Sequence, residues 1–318
     1  MVQNMLMNLL HIFIFPGLLF VSVLGVLMTG IDRKLLARMQ KRVGPPIVQG
    51  FYDFFKLMGK ETIIPEAANK PAFLAAPVIG YVSLVVMVLF IPMFSFSVYS
   101  GTADMIVLIY LLTIPGVCMI VGGSASGNPY AGVGASREMV AMIGYELPLI
   151  LSVLAVCRKV GGGALSFSLN QIVSWQAANG CNLFHWALIP AAIAFLLVIP
   201  GEVGTQPFDV AEAETEICEG ALIEYSGAPL AMFKLNTALK MFIMPALFVA
   251  LFLGGISTGN TVLDVVIFVL LAGLVSFITM TVPHAIAARF KVEKLFKFYW
   301  TLVAALGLVS LVLVWFGL

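Results

Sequence analysis

Charged residues are scarce in this sequence of 318 amino acids, because Asp, Glu, Lys and Arg together make up only 10% of it. In a soluble domain about a quarter of the residues are charged and about half are apolar. Here 61% of the residues are hydrophobic, and the mean hydropathy is +1.06. The scarcity of charge excludes an ordinary soluble domain. We therefore expect an integral membrane protein.

Motifs for cofactors are also missing. The four cysteines include no C-x-x-C pair: Cys118, Cys157, Cys181 and Cys218. Without such a pair the sequence suggests neither an iron–sulfur cluster nor a thiol redox couple, and we expect the cysteines to be packing residues. The glycines at 161–163 lack the Lys and the helix that follow a phosphate-binding loop. We expect no redox centre, metal or nucleotide site on this chain.

Histidines are few and scattered. His11, His185 and His284 fall in three separate segments without the spacing of a ligand set. We favour packing or a hydrogen bond for each of them. Haem ligation by histidines that meet in space is the alternative.

Long apolar runs fill the rest of the sequence. A spanning helix needs about 20 apolar residues, and eight stretches qualify: roughly 7–29, 73–95, 104–122, 138–157, 183–201, 232–255, 261–282 and 298–317. They are too long and too uniformly apolar for the alternating strands of a β-barrel. The sequence predicts an all-α, polytopic membrane protein of about eight transmembrane helices. Residues 1–318 would form one domain, with cytoplasmic loops at about 31–71, 123–137, 202–231 and 283–297.

The basic residues predict the orientation of the spans. Almost all of them lie on the connections that follow odd-numbered spans, whereas the other side carries Arg158 and Lys159. By the positive-inside rule the richly basic side is cytoplasmic and both termini lie outside. Lys234 and Lys240, near the start of the sixth span, are expected to snorkel toward the interface. The first span lacks a preceding basic residue, which favours a retained helix over a cleaved signal peptide.

The first basic connection, 32–61, has its own organisation. Gly44, Pro45 and Pro46 are expected to end a basic helix and force a turn. Apolar residues then recur at helical spacing, opposite a polar face of Asp53, Lys56 and Lys60: Ile47, Phe51, Phe54, Phe55 and Met58. This pattern predicts an interfacial amphipathic helix.

A basic surface of this kind attracts lipid headgroups or protein partners. One interpretation of the connection is a lipid anchor, and the other is a platform that docks cytoplasmic subunits. The residues expected to contact such subunits are Arg33, Arg38, Arg42, Asp53, Lys56 and, from the third-to-fourth connection, Arg137.

Acidic residues inside or beside the spans are the sharper functional signal, because each costs several kcal/mol unless it faces a cavity or a partner. Glu138 and Glu146 lie roughly 80° apart on one helix and can line one side. Pro148 removes a backbone hydrogen bond near Glu146. For Arg137 and Glu138, an interfacial ion pair is the alternative to a functional role.

The stretch 207–227 concentrates acids that no Lys or Arg between 160 and 233 neutralises. If 209–224 is one helix, all its acids except Glu214 fall within a sector of roughly 140°. Crowded carboxylates raise one another's pKa and could pass protons on, although a charge run is usually a solvated face. Glu202 extends the set toward the membrane. The candidate ion path comprises Glu138, Glu146, Glu202, Asp209, Glu212, Glu214, Glu216, Glu219 and Glu224.

Several motifs together resemble subunit 1 of respiratory complex I. They are D-R-K-L-L-A-R-M-Q-K-R-V-G-P at 32–45, K-L-M-G-K-E at 56–61, S-R-E-M at 136–139 with Y-E at 145–146, and P-F-D-x-x-E-x-E-x-E at 207–216 with E-Y-S-G at 224–227. The resemblance implies a subunit at the heel of a membrane arm, which supports cytoplasmic redox subunits and begins a polar path. Acids matching the family's are Glu138, Glu146, Glu202, Asp209, Glu212, Glu214, Glu216 and Glu224.

Two departures from that pattern concern quinone. The segment from Gly44 to Asp53 is shorter than in quinone-reducing members, and Thr205 stands where they carry an arginine. Glu219 and the motifs G-A-S-R-E and E-Y-S-G make the chain most similar to the membrane-anchor subunit of energy-converting membrane-bound nickel–iron hydrogenases. We therefore expect no quinone on this chain.

The expected function is that of a non-catalytic subunit in the cell inner membrane, coupling electron transfer to H⁺ or Na⁺ movement. Implied partners are peripheral hydrogenase-like large and small subunits, which would hold iron–sulfur clusters and a nickel–iron site, and other membrane subunits including antiporter-like ones. No nucleic acid is expected. The alternatives are a quinone-linked or sulfur-linked oxidoreductase subunit, or a stand-alone cation-coupled transporter, although no inverted repeat is visible.

Overall fold

The computed structural model describes residues 2–99, 101–102, 104–256 and 258–317, apart from the side chains of residues 2–6, 8 and 214. Its described part has eight helical segments long and apolar enough to cross a membrane, and no β-strand. The spans, first to eighth, are Leu9–Met39, Lys70–Phe90, Asp104–Ala125, Pro129–Val160, Trp186–Val203, Gly227–Phe252, Thr261–Ile286 and Val292–Trp315. The predicted all-α bundle of eight spans is confirmed.

Four of the spans are not uniform α-helices. The fifth begins with a 3₁₀ turn, Trp186–Leu188, before the α-helix Ile189–Val203. The first consists of helices Val2–Phe13 and Leu18–Met39 with a break at 14–17. The seventh has a π-helical segment, Phe277–Thr281, between Thr261–Ser276 and Val282–Ile286. The eighth has another, Tyr299–Val303, between Val292–Phe298 and Ala304–Trp315. Such segments relieve the regular backbone pattern locally and are frequent at functional sites.

Two helices extend further than their apolar runs. The fourth span begins at Pro129, where the Asn128 side chain accepts a hydrogen bond from the Tyr130 amide at 2.8 Å and caps the helix. The first span continues to Met39 and so carries Arg33 and Arg38 outward on a helix. The prediction that Gly44 and the following prolines end this helix is wrong, because the chain leaves the helix at Gln40 and Lys41 has a φ of 57°.

The amphipathic helix predicted in the first connection is present at Gln49–Met58. Phe51 and Phe54 pack against the core of the bundle. Phe55 and Met58, which we placed on the same apolar face, are instead exposed. The helix therefore divides its aromatic residues between the bundle and its outer surroundings.

The sixth span is the central helix of the bundle. It packs against the first, second, fifth and seventh spans, and nearly all of its residues are buried. Gly25 of the first span allows close approach, since a Cβ there would lie 2.6 Å from the Ala238 carbonyl oxygen. Polar side chains on the sixth span are therefore enclosed by protein. The expectation that Lys240 snorkels to the interface is wrong, because it is 7% exposed.

Buried hydrogen bonds fix the end of the sixth span that lies away from the basic connections. Gln176, on the helix Leu169–Asn179, donates from Nε2 to the carbonyl oxygens of Ala250 and Leu251 at 3.0 and 3.1 Å. Asn182 donates to the Leu251 carbonyl at 2.8 Å. These bonds satisfy carbonyl groups that the helix end leaves without a partner.

Candidate functional site

The acidic stretch 207–227 is not one helix, so the condition under which its acids would share a sector is not met. Its regular structure is limited to the short helix Glu214–Ile217 and the 3₁₀ turn Gly220–Leu222. Cys218, Glu219 and Gly220 have φ values of 52°, 68° and 51°, which a right-handed helix cannot contain. A Cβ on Gly220 would also lie 2.1 Å from the Ala211 carbonyl oxygen. The acids therefore do not share one helical face.

Arginines from distant segments pair with two of these acids. Arg289 donates from Nη2 to Asp209 Oδ2 at 2.7 Å, and Arg137 donates from Nη1 to Glu216 Oε2 at 2.6 Å. The Phe290 amide also donates to the Pro207 carbonyl at 2.9 Å. The stretch lacks local basic residues, yet folding supplies them. Arg137 pairs with Glu216, and the interfacial pair with Glu138 that we considered is not formed.

The remaining acids of the stretch lie in different surroundings. Glu224 accepts a hydrogen bond from Asn128 Nδ2 at 2.5 Å. Glu219 is exposed, and its side chain has no hydrogen bond or ion pair to any described residue. The Glu214 side chain lies outside the described residues. Among the described side chains of the stretch, Asp209 and Glu212 line a small cavity inside the bundle.

A small cavity brings together acids from three segments. Its volume is about 40 Å³, enough for an ordered water molecule. The charged residues in its wall are Glu138 of the fourth span, Glu202 of the fifth, Asp209 and Glu212 of the connection, and Lys240 of the sixth. Four of the predicted path residues therefore meet at one place.

Glu202 and Lys240 form a buried ion pair beside this cavity. Lys240 Nζ lies 2.8 Å from Glu202 Oε1 and 3.0 Å from the Glu202 backbone oxygen. The two side chains are 4% and 8% exposed. Sequence reasoning missed Lys240 as a site residue because its partner lies 38 positions away. The available signal was a lysine within an otherwise apolar helix.

A larger cavity of about 520 Å³ lies between the first span, the interfacial helix and the sixth span. Its charged lining residues are Arg33, Asp53, Lys56, Lys60, Glu212 and Lys234. Glu212 lines both cavities and so lies between them.

Glu212 has an unusual electrostatic environment. Burial, followed by the negative charges of Asp209 and Glu138, raises its pKa to about 8. The positive charge of Lys234 opposes this rise. The Glu212 carboxyl can therefore exchange a proton near neutral pH.

Glu146 stands apart from the other acids of the site. It is partly buried, does not line the small cavity, and makes no hydrogen bond or ion pair to a described residue. Tyr145, which is 2% exposed, lies within electrostatic range of Glu138, Glu146 and Glu202. Tyr145 also packs edge-on against Tyr299, with ring centroids 6.3 Å apart. Tyr145 is thus near both Glu146 and the cavity acids Glu138 and Glu202.

The predicted docking residues of the first connection are mostly at the surface. Arg33 pairs with Asp53 at 3.2 Å, and Gln49 also donates to Asp53 at 3.0 Å. Arg38, Arg42 and Lys56 are exposed. Exposed pairs contribute little to stability. This surface therefore remains available for contacts with another molecule.

Metal-ligand groupings are absent from the part of the chain that the structure describes, where no three His, Cys, Asp or Glu residues are placed to hold an ion. Cys118 and Cys157 are buried free thiols. The Nδ1 atom of His11 lies 3.0 Å from the Phe15 carbonyl oxygen. The chemistry that this arrangement supports is the transfer of protons or charge among carboxylates.

Comparison with known proteins gives consistent matches over most of the chain. A family model described as NADH dehydrogenase matches residues 11–315. Hydrogenase-4 component C of Escherichia coli (strain K12) is 37% identical over 253 residues, which cover 79% of this chain and 78% of that protein. A subunit of the NADH-quinone oxidoreductase of Bacillus thuringiensis subsp. konkukian (strain 97-27) is 37% identical over 262 residues, covering 77% and 75%.

A solved structure has the same fold. A chain in the structure of the membrane-bound sulfane sulfur reductase, an archaeal respiratory membrane complex, superposes with a TM-score of 0.85 at 30% identity. The match covers 93% of this chain and 96% of that one. Relatives thus occur in hydrogenase, quinone-linked and sulfur-linked complexes.

Proposed function

The chain belongs to the NADH dehydrogenase subunit 1 family, and from this premise we propose that it is the membrane subunit of an ion-translocating redox complex of the membrane-bound hydrogenase type. It docks a peripheral redox arm on its basic surface. It couples electron transfer in that arm to movement of H⁺ or Na⁺ through its carboxylates. The partner subunits carry the iron–sulfur clusters and the nickel–iron site.

The position of Glu212 carries this proposal. Glu212 lines the large cavity beside the basic connections and also the small cavity that holds Glu138, Asp209 and Glu202. A carboxyl with a pKa of about 8 can take up and release a proton at the pH of a cell. These positions support a path for protons from the basic end of the bundle into its interior, which would continue to Glu146 further along the fourth span.

The exposed basic residues support docking. Arg38, Arg42 and Lys56 present positive charge without an ion pair among the described residues. Positive surfaces of this kind attract acidic protein surfaces at long range. We place the peripheral arm here, on the cytoplasmic side of the inner membrane, with both termini of the chain outside.

A quinone-linked or sulfur-linked complex is the second candidate. It is favoured by the 37% identity to the NADH-quinone oxidoreductase subunit of Bacillus thuringiensis, by the likeness to a chain of the sulfane sulfur reductase complex, and by the cavity of about 520 Å³. A cavity of that volume is in the range of small-molecule sites. Identification of the proteins that copurify distinguishes these complexes from a transporter that works alone.

The ratio of ions moved to electrons transferred tests the coupling. Glu146→Gln and Glu212→Gln keep the shape of the side chain and remove its titrating group. In sealed vesicles both should lower the ratio, whereas electron transfer from an artificial donor in detergent should persist. Glu293→Gln, which changes an exposed glutamate, is the matched control. An unchanged ratio in both test variants would require withdrawal of the coupling role.

A further inference from the structure

Lys240 is a cation held inside the bundle. It is 7% exposed, and no other lysine or arginine in the described ranges is buried to this extent. Removing a charge from water costs several kcal/mol unless its partners are well placed. A residue of this kind in a membrane helix therefore indicates a function that apolar packing would not supply.

The hydrogen bonds of the Lys240 ammonium group both go to one residue. Nζ donates to Glu202 Oε1 at 2.8 Å and to the Glu202 backbone oxygen at 3.0 Å. An ammonium group has three N–H donors, so one donor has no partner among the described residues. The ammonium group is thus bound from one side, and the small cavity lies beside it.

A second acceptor for the ammonium group lines the same cavity. Glu138 makes no hydrogen bond or ion pair to a described residue, and it lies within electrostatic range of Lys240. Asn236, one turn before Lys240 on the sixth span, is 4% exposed, and its Oδ1 has no hydrogen-bond donor. The lysine side chain has a flexible four-carbon stem, and the cavity of about 40 Å³ leaves room for its ammonium group to move.

Of the four carboxylates in the wall of this cavity, those of Glu202 and Glu138 lie within electrostatic range of Lys240. A single ammonium charge compensates one carboxylate at a time, and the other is then stable only with a proton. We propose that Lys240 is a tethered cation that alternates between Glu202 and Glu138. This inference rests on the proposed function, because it assigns a moving part to the coupling site.

The exchange balances in protons and charge. With the ammonium group on Glu202, Glu138 holds one proton. When the ammonium group moves to Glu138, that proton crosses the cavity to Glu202, and Lys240 keeps its three protons throughout. One proton and one ammonium group thus move in opposite directions. Lys240 acts as a positioning residue that decides which of the two acids is protonated.

Lys240→Arg tests movement while keeping the charge. A guanidinium group forms a forked, two-bond pair with a carboxylate and holds it in one geometry. The assembled complex in sealed vesicles should lose ion movement and retain electron transfer. A counter-ion with a purely structural role would tolerate this change, and the ion-to-electron ratio would then equal that of the parent.

Infrared difference spectroscopy of the parent complex during turnover gives a second readout. Alternation predicts paired carboxyl bands, one gained and one lost, with one absent in Glu138→Gln and the other in Glu202→Gln. Absence of paired bands in the parent overturns the proposal. This measurement still decides the matter if the Lys240→Arg complex fails to assemble.

Further variants distinguish a failure of the tethered-cation proposal from a failure of the proposed function. Gln176→Leu, which removes hydrogen bonds to the other end of the sixth span, should lower the yield of complex and leave the ratio unchanged. If Glu212→Gln lowers the ratio and Lys240→Arg does not, the tethered cation is wrong and the proposed function stands. If Lys240→Arg, Glu212→Gln and Glu146→Gln all leave the ratio unchanged, the coupling role in the proposed function fails as well.

Discussion

Arg289 donates a hydrogen bond of 2.7 Å to Asp209 across 80 residues of sequence. The pair joins the connection before the eighth span to the loop that precedes the sixth, and each side chain is 17% exposed. Arg289 also donates to Thr215 Oγ1 at 3.1 Å. The loop that carries Asp209 and Glu212 is thus held from outside by a residue that belongs to neither adjoining span.

Arg289→Gln should destabilise the chain, because the Asp209 carboxylate loses its counter-charge. The pair is partly buried, so the expected loss is between the ~1 kcal/mol of an exposed pair and the ~3 kcal/mol of a buried one. The melting temperature in detergent would report it. Lys291→Gln, an exposed change two residues away, should have almost no effect. Equal shifts in both variants would mean that the loop is held by other contacts.

Stability should depend on pH through Glu212. Its pKa is raised from 4.5 to about 8, first by burial and then by Asp209 and Glu138, so between these values the folded chain holds a proton that the unfolded chain has released. The resulting stability is fully present below the lower value and is lost as pH rises through the higher one. The melting temperature of the parent should fall across this interval. Glu212→Gln should flatten that fall, and Glu293→Gln should not.

Charge reversal of Arg33, Arg38 and Arg42 together should release the peripheral subunits while the chain still inserts. The physical reason is the loss of electrostatic attraction at the proposed docking surface. The measurement is quantitative mass spectrometry of the copurified complex. Reversal of Lys291, Lys294 and Lys297, which are also exposed, alters the same number of charges on another connection. Unchanged recovery after the arginine reversal would favour simple lipid anchoring.

The purified complex should contain no stoichiometric quinone and should resist quinone-site inhibitors. The reasons are the short segment between Gly44 and Asp53 and the presence of Thr205 in place of an arginine. Extraction and chromatography measure the quinone content. Lys56 lines the large cavity, so its chemical modification with and without inhibitor locates any binding. Tight inhibition with protection of Lys56 would make the quinone-linked complex the better assignment.

The spans and the interfacial helix could be predicted from sequence because their signals are local. Hydropathy summed over about 20 residues identifies a membrane helix without knowledge of its neighbours. The helix Gln49–Met58 follows from a helical period within one short segment. Which aromatic residue faces the bundle was less predictable, since the exposure of Phe55 depends on where the first and sixth spans lie.

The site could be predicted only in part, because its pairs join distant segments. Helical periodicity over 209–224 could not reveal that Cys218 and Glu219 adopt left-handed conformations. Gly220 was the available sign of a helix break. The roles of Arg289 and Lys240 were not predicted for a different reason. The partner of each lies in another segment, and a count of charges does not show which segments meet.

The central position of the sixth span has a consequence for biogenesis. The first five spans leave the ribosome before it, yet three of them pack against it. Glu202 therefore leaves the ribosome at the end of the fifth span before Lys240 does. Until the sixth span arrives, the nascent chain carries an uncompensated acid and an unfilled groove. The last third of translation thus completes a fold that the first two thirds cannot close.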